Sequence, residues 1–457
     1  MAAPRKIDVV LDSVRRLLRI GATANLLNLL QKQHPADVAQ VFGELSDRDR
    51  HAVFNLFVER HGRLAMEALS EMGPEAAASL MAGRSAEEIA RLLAEIPSDD
   101  AAALIDYLPE ELATSVLEMM GHRASADVEN LLEYAEQTAG RIMNPHVFAL
   151  QEDLTAGEAI AALQGSREVE MVFYLYVVDA RRHLVGVVSL RRLLLVSPET
   201  PLKRIMTTDL ISARVDMDQE EVARQVASYN LLAIPVVDEE NKLVGIITVD
   251  DVIDVIKDEA TEEIYRLAGV SSDEHVFTPP SVSLRKRLPW LVINLATAFL
   301  ASGVVAIFSG TISKWVALAI FMPIVAGMGG NAATQTLTVI VRGIALGELT
   351  WSNSRQALFK ELVVGVGNGV ATGLVAAVVA WLMIGSPSLG AILALAMVVN
   401  LFVAGAAGTL VPLGLRALKI DPALASTVII TTFTDCCGFA SFLGLAALFL
   451  RYAHEAG

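Results

Sequence analysis

The chain has 457 residues, 53% of them hydrophobic, and a formal net charge of −16, so it is long enough for several domains and too apolar for an ordinary soluble protein. Residues 281–457 carry ten Lys and Arg against five Asp and Glu, whereas residues 1–280 carry the remaining 26 and 47. We therefore expect an acidic soluble part followed by a membrane-embedded part. The acidic charge argues against nucleic acid as a partner and for metal cations or basic partners. The first 20 residues lack the apolar core and cleavage site of a signal peptide, so we expect none.

Residues 1–136 are rich in Ala, Leu, Glu and Met and lack the alternation typical of strands. Several short amphipathic helices in this part begin with Pro or Ser beside acidic residues, which is a signal for a helix start. These starts lie at residues 34–37, 73–76, 98–100 and 108–111. Their spacing predicts an all-α superhelical N-domain of stacked helices. The pattern alone favours a scaffold or protein-interaction surface.

From residue 137 the pattern changes to alternating strands and helices, and it occurs twice. Matching segments recur in the same order at 142–145 and 205–208, at 175–179 and 234–238, and at 184–189 and 243–248. Residues 137–254 therefore resemble a tandem CBS pair, an α/β module that commonly dimerises and senses adenosine nucleotides or ions.

In a CBS unit that binds a nucleotide, a hydroxyl and an acid after the last strand hold the ribose. The second copy offers Thr248 and Asp251, whereas the first offers Ser189 followed by two arginines where an acid would help. Tyr174 is one further candidate contact. ATP binding is therefore weakly supported, with Tyr174 and Ser189 as its candidate residues.

An acidic run at residues 250–263 follows the second copy, with Lys257 as the only base among seven acids. In a helix, Asp251, Asp254, Asp258 and Glu262 fall near one face, and each like-charge pair at this spacing costs about 0.2–0.5 kcal/mol. A solvated face is one interpretation. A hard divalent cation would relieve the repulsion, so we interpret the run as a metal-dependent latch. A connecting helix and linker are expected over residues 255–284.

Residues 285–451 form a predicted membrane domain of five α-helical spans. The apolar runs lie at residues 288–308, 316–341, 362–384, 389–415 and 422–450. Most Lys and Arg of the connecting loops fall on the side that faces the cytoplasm if residues 1–280 do. We therefore expect an integral plasma (inner) membrane protein in the lipid bilayer, with cytoplasmic N-terminal domains and an external C-terminus.

Asp435 lies near the middle of span five, where an ionised carboxylate costs about 2.5–3.5 kcal/mol on insertion scales. One interpretation is a cation site within a membrane pathway. The other is a buried Asp that accepts hydrogen bonds from Thr431, Thr432 or Thr434. We favour the cation site, because no base in the membrane part is well placed to neutralise the carboxylate.

Span two carries Pro323 and a glycine-rich segment that contains Gly329, Gly330, Asn331 and Gln335. We expect an irregular backbone here whose free carbonyls accept hydrogen bonds from a hydrated ion, because such backbone is tolerated where it lines a water-filled cavity. A kink for helix packing is the alternative. The two amide side chains favour the ion pathway, and all four residues of the segment are pore-lining candidates.

Span three carries Gly365, Gly369 and Gly373, a small-residue stripe that we assign to close helix packing. A proton-coupled carrier would need a relay of acids or His in the membrane. There is no His between residues 288 and 450, and we place Glu348 and Glu361 in the charged loop between spans two and three. Zinc and aspartyl intramembrane proteases are excluded, since they require a His-containing motif or a second intramembrane Asp. We therefore predict no enzyme activity.

These features occur in one order: a helical domain, a CBS pair, an acidic helix, the Gly329-Gly330-Asn331 segment with Gln335, and Asp435. The whole chain resembles the MgtE family of magnesium channels. The resemblance implies a homodimer with one central pore, in which Asp435 of each subunit holds hydrated Mg2+ and Asp421 lies near the cytoplasmic mouth. It also implies that cytosolic Mg2+ closes the pore by binding at the helical domain, the CBS pair and the connecting helix.

The regulatory ligands that this resemblance implies are Glu67, Asp99, the carbonyls of Gly140 and Ala227, Asp251, Asp254, Glu259, Glu262 and Glu263. Two positions depart from the family pattern, because Asn230 and Ala103 replace acids, so we expect closure to need a higher Mg2+ concentration. A transporter of another divalent cation, such as Co2+ or Mn2+, and a membrane sensor without transport remain the alternatives.

Overall fold

The computed structural model describes residues 6–166, 173–271, 274, 276, 278–424 and 427–455. The chain divides into two compact units, Met1–Lys257 and Asp258–Gly457. The connecting helix and linker expected over residues 255–284 lie partly outside the described residues.

The first unit begins with short helices that stack around a shared apolar core, as the repeated starts predicted. His34 caps α3 through its side chain, and α6, α8 and α9 begin at or next to the predicted Pro and acidic residues. The helices are α1 (Lys6–Arg19), α2 (Thr23–Leu30), α3 (Pro35–Gly43), α4 (Asp47–Arg60), α5 (Gly62–Ser70), α6 (Pro74–Met81), α7 (Ala86–Leu93), α8 (Ser98–Asp106), α9 (Glu110–Met119) and α10 (His122–Glu133).

Two sheets of the same topology follow, which confirms the internal repeat. In each described sheet a parallel pair of strands is followed by an antiparallel pair, in the orders β1-β2-β3 and β4-β5-β6. The strands are β1 (Ala149–Gln151), β2 (Tyr174–Val178), β3 (Leu184–Ser189), β4 (Ala213–Arg214), β5 (Ala233–Val237) and β6 (Leu243–Thr248). The accompanying helices are α11 (Ala139–Ile142), α12 (Ala156–Gly165), α13 (Leu190–Leu195), α14 (Leu202–Ile205), α15 (Gln219–Tyr229) and α16 (Val249–Leu267).

The two copies interlock through a reciprocal methionine contact. Met206, at the entry to the second copy, packs on Gly186 in β3, and Met143, at the entry to the first, packs on Gly245 in β6. A Cβ on Gly245 would lie 2.6 Å from the Met143 sulfur. Each glycine is therefore required by the close approach of the other copy's methionine, which fixes the pairing of the two copies.

Within the described residues, five helices of the second unit are long and apolar enough to cross a membrane. The chain is therefore an integral membrane protein with a soluble N-terminal part. The helices, together with the short α18 (Ser309–Lys314), are α17 (Pro280–Ile307), α19 (Ala317–Ala345), α20 (Ser354–Ile384), α21 (Pro387–Ala417) and α22 (Thr427–Glu455).

The glycine stripe of α20 packs against the backbone of α21, as expected. A Cβ on Gly369 would lie 2.7 Å from Val398 Cα, and one on Gly373 would lie 2.9 Å from the Ala394 carbonyl oxygen. Only glycine permits this approach, so the stripe sets the spacing of the two helices.

The irregular backbone expected in span two is wrong, because α19 is a continuous helix from Ala317 to Ala345 through Pro323 and the glycines. Neighbouring groups accommodate the glycine-rich segment. Thr334 Oγ1 donates to the Gly330 carbonyl at 2.9 Å, and Asn400 Nδ2 donates to the Val325 carbonyl at 2.8 Å. The carbonyls of the glycine-rich segment thus remain within a continuous helix. The Gly330 and Val325 carbonyls also accept a hydrogen bond from a side chain.

The loop position expected for Glu361 is also wrong. Glu361 lies in α20, where only 5% of its surface is exposed. Thr336 Oγ1 donates to Oε2 at 3.0 Å and Lys360 Nζ donates to Oε1 at 2.8 Å. These two contacts compensate the burial of the carboxylate.

Candidate functional site

Asp435 lies near the middle of α22, and the neighbouring threonine hydroxyls do not bind it. Thr434 Oγ1 donates to the Thr431 carbonyl at 3.0 Å, while Thr431 and Thr432 donate to the Val428 carbonyl at 3.2 and 2.6 Å. In the described part of the chain, no hydrogen bond or ion pair involves the Asp435 carboxylate. The alternative of a threonine-bound Asp is therefore contradicted, and the half-buried carboxylate keeps its full capacity to bind a cation.

The turn of α22 that precedes Asp435 packs against the glycine-rich segment of α19. A Cβ on Gly330 would lie 3.3 Å from Thr431 Cγ2, one turn before Asp435. Asn331 and Gln335 are one helical turn apart and both are exposed on the surface of the unit. The structure thus brings the glycine-rich segment to the turn of α22 that precedes Asp435, and it leaves the two amide side chains of that segment exposed.

Gly329, the fourth pore-lining candidate, has a different position. It is buried, and its surface faces the side chain of Asn400 from α21. Gly329 therefore serves helix packing in this structure. Sequence reasoning missed Asn400, whose only signal was an amide within an otherwise apolar span.

Before the start of α22, Asp421 precedes the short 3-10 helix Pro422–Leu424 and is paired with a base. Its Oδ1 accepts from Ala423 N at 2.8 Å, and Oδ2 accepts from Arg266 of α16. Arg266 also donates to Glu262, one turn earlier on α16. Two of the acids that the resemblance assigns to Mg2+ thus share one guanidinium.

A second ion pair joins the end of α16 to α19. Arg342 Nη1 lies 3.3 Å from Glu263 Oε2, and Leu267 packs among the apolar residues of α19 and α22 around Leu337 and Ile430. Glu259 lies one turn before Glu263 on the same helix. The last two turns of α16 are therefore docked on the membrane helices by both charge and apolar contact.

In the first unit, two acidic helix starts meet. Asp99 and Asp100 lie in the first turn of α8, and Asp250 and Asp251 in the first turn of α16. The apolar core that includes Ala101, Ala102 and Val252 holds the two starts together. Sequence reasoning singled out Asp99 and Asp251 and missed Asp100, although the acidic doublet was visible in the sequence.

Electrostatics at this acidic cluster favour a bound cation. Burial raises the pKa of Asp251 to about 6, with the Asp250 and Asp100 charges adding to the shift. Burial also raises the pKa of Asp99, and the Asp251 charge raises it further. The Oδ1 atom of Asp99 is buried without a hydrogen-bond partner among the described residues. Crowded carboxylates with an unused oxygen fit a hard divalent cation, which takes oxygen ligands.

The remaining implied ligands are not gathered into one compact site. Over the described residues, no three His, Cys, Asp or Glu side chains are arranged to hold a metal. Glu67 pairs with Arg63 at 2.8 Å, and the exposed Asp254 lies 3.5 Å from Lys257 Nζ. The Ala227 carbonyl accepts the N–H of Asn230, the left-handed end of α15, and Gly140 is buried in α11 under the Tyr134 ring.

The nucleotide candidates are adjacent on the first sheet. Tyr174 and Ser189 are directly paired between β2 and β3, and Ser189 Oγ accepts from Arg192 N as the cap of α13. In the second copy, Thr248 Oγ1 donates to Asp251 Oδ2 at 2.7 Å. The hydroxyl and the acid of that copy thus bind each other.

Comparison with known proteins agrees with this architecture. Sequence profiles match the MgtE intracellular N domain at residues 33–137, the CBS domain at 139–199 and 202–258, and MgtE, described as a divalent cation transporter, at 322–445. The magnesium transporter MgtE of Thermus thermophilus is 34% identical over 451 residues, which cover 96% of this chain and 98% of that protein. MgtE of Bacillus subtilis is 36% identical over 328 residues, 72% of this chain and 73% of that protein.

A solved structure resembles the soluble part. The crystal structure of the cytosolic domain of the Mg2+ channel MgtE in complex with ATP has a TM-score of 0.51 and 35% identity, and the match covers 54% of this chain and 99% of that one. The similarity that extends from the soluble domains through the membrane helices is to a magnesium transporter. The chain belongs to the MgtE family of magnesium transporters.

Proposed function

We propose that the protein is a dimeric channel for Mg2+ uptake in which Asp435 of each subunit binds the permeating hydrated ion. One observation carries the proposal: a carboxylate lies mid-span on α22 with no hydrogen bond or ion pair among the described residues. An intramembrane charge of this kind is costly and is a functional-site candidate by default. Mg2+ dehydrates reluctantly, so the ion would be held through its water shell.

The exposed face of α19 supports a pore between two copies. Asn331 and Gln335 are exposed amides in a helix that is apolar enough to cross a membrane, and amide groups facing hydrocarbon would lack hydrogen-bond partners. A second copy that encloses a water-filled path would supply partners for them. The pore-lining residues that we propose are therefore Gly330, Asn331 and Gln335. Two exposed leucines of α13, Leu194 and Leu195, would support a dimer of the soluble domains as well.

Membrane voltage is sufficient for uptake. A doubly charged ion gains about 4.6 kcal/mol on moving inward across 100 mV, so coupling to another ion is not required. The positive charges of the loops favour cytoplasmic N-terminal domains with the C-terminus outside. The domains would be the helical domain (1–136), the CBS pair (137–254), the connecting helix and linker (255–284) and the membrane domain (285–451).

Cytosolic Mg2+ would close this channel by binding the acidic cluster of Asp99, Asp100, Asp250 and Asp251 and the acids of α16. The cluster has raised pKa values for Asp99 and Asp251 because burial and like charge disfavour ionisation, and a divalent cation would offset both. Asn230 and Ala103 replace acids of the family pattern, so closure would need more Mg2+ than with acids there. The named solved relative binds ATP, and Tyr174 and Ser189 would contact ATP here.

The test is Mg2+ flux into proteoliposomes that contain the wild-type chain, Asp435→Asn or Thr434→Val. Loss of flux only in Asp435→Asn would support the ion site, because Thr434 is the adjacent residue whose hydroxyl binds its own helix. Undiminished flux through Asp435→Asn would refute it. Flux of Co2+ and Mn2+ in the same assay would separate a magnesium channel from a transporter of another divalent cation, and a sensor would carry none of them.

Closure is tested in the same vesicles by titrating Mg2+ on the side of the soluble domains, with Asn230→Asp as the comparison. The wild type should close at a higher Mg2+ concentration than Asn230→Asp. Both residue types tolerate the left-handed conformation that residue 230 adopts, so the comparison changes charge and preserves the backbone. Equal midpoints would contradict the role of residue 230.

A further inference from the structure

Asn400, in the middle of α21, is completely buried between α19 and α22. Its side chain occupies space that two glycines leave open. A Cβ on Gly438 of α22 would lie 2.7 Å from Asn400 Nδ2, and a Cβ on Gly329 of α19 would overlap the same amide. Both glycines are required by one polar side chain from a third helix, which links the two helices of the proposed pathway.

The hydrogen bonds of Asn400 reach only one of these helices. Nδ2 donates to the Val325 carbonyl of α19 at 2.8 Å, whereas Oδ1 is buried and accepts no hydrogen bond from any residue that the structure describes. An unpaired buried acceptor opposes folding. A leucine, which has nearly the same shape, would fill the space between the glycines without this penalty, so packing alone does not explain an amide at this position.

The position of Asn400 relative to the ion site supplies the explanation. Gly438 lies three residues after Asp435, and Gly329 lies two residues before Asn331, so the amide is wedged within one helical turn of both groups. A rotation or shift of either helix at this level would change the distance between the Asp435 carboxylate and the Asn331 side chain. Asn400 is thus placed to set the width of the path where the ion is held.

We propose that Asn400 is a positioning residue for ion selectivity: its amide holds α19 and α22 at the separation that fits hydrated Mg2+ and disfavours other divalent cations. The inference rests on the proposed ion site at Asp435. Selectivity depends on this separation because Mg2+ keeps its waters, whereas Ca2+ accepts more ligands in a flexible geometry. A wider or narrower path therefore changes the preference between the two ions.

The test compares Mg2+ and Ca2+ flux through the full chain in proteoliposomes with thermal unfolding of the same samples. Asn400→Leu should unfold at or above the wild-type temperature, because it removes an unpaired acceptor. Its ratio of Mg2+ to Ca2+ flux should nevertheless fall on the order of tenfold, the loss typical when a residue that supports a metal-binding group is removed, because leucine fills the space but lacks the amide hydrogen bond that holds α19. Thr409→Val is the matched control, since Thr409 is equally buried on α21 and donates only to Gly405 of its own helix.

Exchanging the large and small side chains at positions 400 and 438 separates the effect on packing from the effect on ion selectivity. Gly438→Ala alone should destabilise the protein because its Cβ meets the Asn400 amide, and Gly438→Ala with Asn400→Ala should restore stability without restoring the Mg2+ preference. An unchanged flux ratio in Asn400→Leu, or a ratio restored by the double variant, would overturn the inference. Asp435→Asn in the same series distinguishes the two proposals. Full flux through Asp435→Asn would refute the ion site. Loss of flux in Asp435→Asn together with a wild-type flux ratio in Asn400→Leu would refute only the role of Asn400.

Discussion

At the scale of single residues, Glu361 and Asp435, two carboxylates of the membrane helices, have different surroundings. Glu361 is nearly inaccessible and is bound by a hydroxyl and an ammonium, whereas Asp435 is half-buried and has no such partner among the described residues. A carboxylate bound on both oxygens serves structure, because its charge is already compensated. The one left without compensation remains available to a passing cation.

Glu361→Ala should therefore destabilise the protein by about 1–3 kcal/mol, since it leaves the buried Thr336 hydroxyl without an acceptor. Glu361→Gln should cost less, because the amide oxygen still accepts from Thr336. Thermal unfolding in detergent measures both. Glu348→Ala, at an exposed carboxylate of the neighbouring loop, is the control and should change stability by less than about 0.5 kcal/mol; an equal loss in Glu348→Ala would contradict this role of Glu361.

The acidic cluster of the soluble unit gives a pH-dependent prediction. Burial raises the pKa of Asp251 from 3.8 to about 6, so the native state binds more protons than the unfolded state between these values. The contribution of Asp251 to stability without Mg2+ should accordingly be fully present below about pH 4 and fall as the pH rises through about 6. Asp251→Asn should remove much of this fall.

Denaturant unfolding of the metal-free wild type and of Asp251→Asn across this pH range measures the difference between their free energies of unfolding. This difference should fall as the pH rises. Asp254→Asn is the matched control, because Asp254 is exposed on the same helix. Mg2+ at pH 7 should recover stability in the wild type and less in Asp251→Asn. A stability that rises between pH 4 and pH 6 in the wild type and not in Asp251→Asn would contradict the prediction.

At the scale of elements, close packing by glycine decides where the membrane helices meet. Gly365, Gly369 and Gly373 repeat every four residues on α20 and each faces the backbone of α21, whereas Gly367, between them, has no atom within 4 Å of a Cβ position. The same residue type thus has two roles on one helix. Only the face towards α21 requires glycine.

Gly369→Ala should separate α20 from α21, because its Cβ would lie 2.7 Å from Val398 Cα. Overpacking of this kind costs about 1–3 kcal/mol. Gly367→Ala should be neutral or stabilise by up to about 1 kcal/mol, since alanine favours the helix. Unfolding temperature and size-exclusion profile in detergent distinguish the two variants, and equal behaviour would show that the stripe does not set the spacing.

The elements that could be predicted from sequence are those with strong local signals. The five spans, the repeated strand pattern and the α20 stripe each depend on spacing within one segment. The continuity of α19 could not be predicted, because part of its surroundings comes from distant residues, such as Asn400, which donates to the Val325 carbonyl 75 residues away. Asn400 and Glu361 were missed or misplaced for the same reason: each is explained by residues of another helix.

At the scale of the whole molecule, the soluble unit exposes apolar side chains at equivalent places of its two CBS copies. Leu194 and Leu195 of α13, which follows β3, are 63% and 74% exposed, and Ile253 and Ile256 of α16, which follows β6, are 58% and 46% exposed. Large exposed apolar residues that recur on equivalent helices indicate an interaction surface. Since most soluble homo-oligomers are twofold dimers, a second copy of the chain is the occupant that we expect.

A fragment that ends at Leu267, the last residue of α16, should therefore be a dimer, and Leu195→Lys should make it a monomer. Residues 1–257 form a compact unit with its own apolar core, which supports independent folding of the fragment. A lysine at this position places a buried, unpaired charge in the contact of both copies, and such a charge strongly opposes association. Met119→Lys, at a 60% exposed residue of α9, applies the same change outside the CBS pair and should leave the dimer intact. Light scattering of the three fragments gives their masses directly: a wild-type monomer, or a dimer that survives Leu195→Lys, would exclude α13 from the contact.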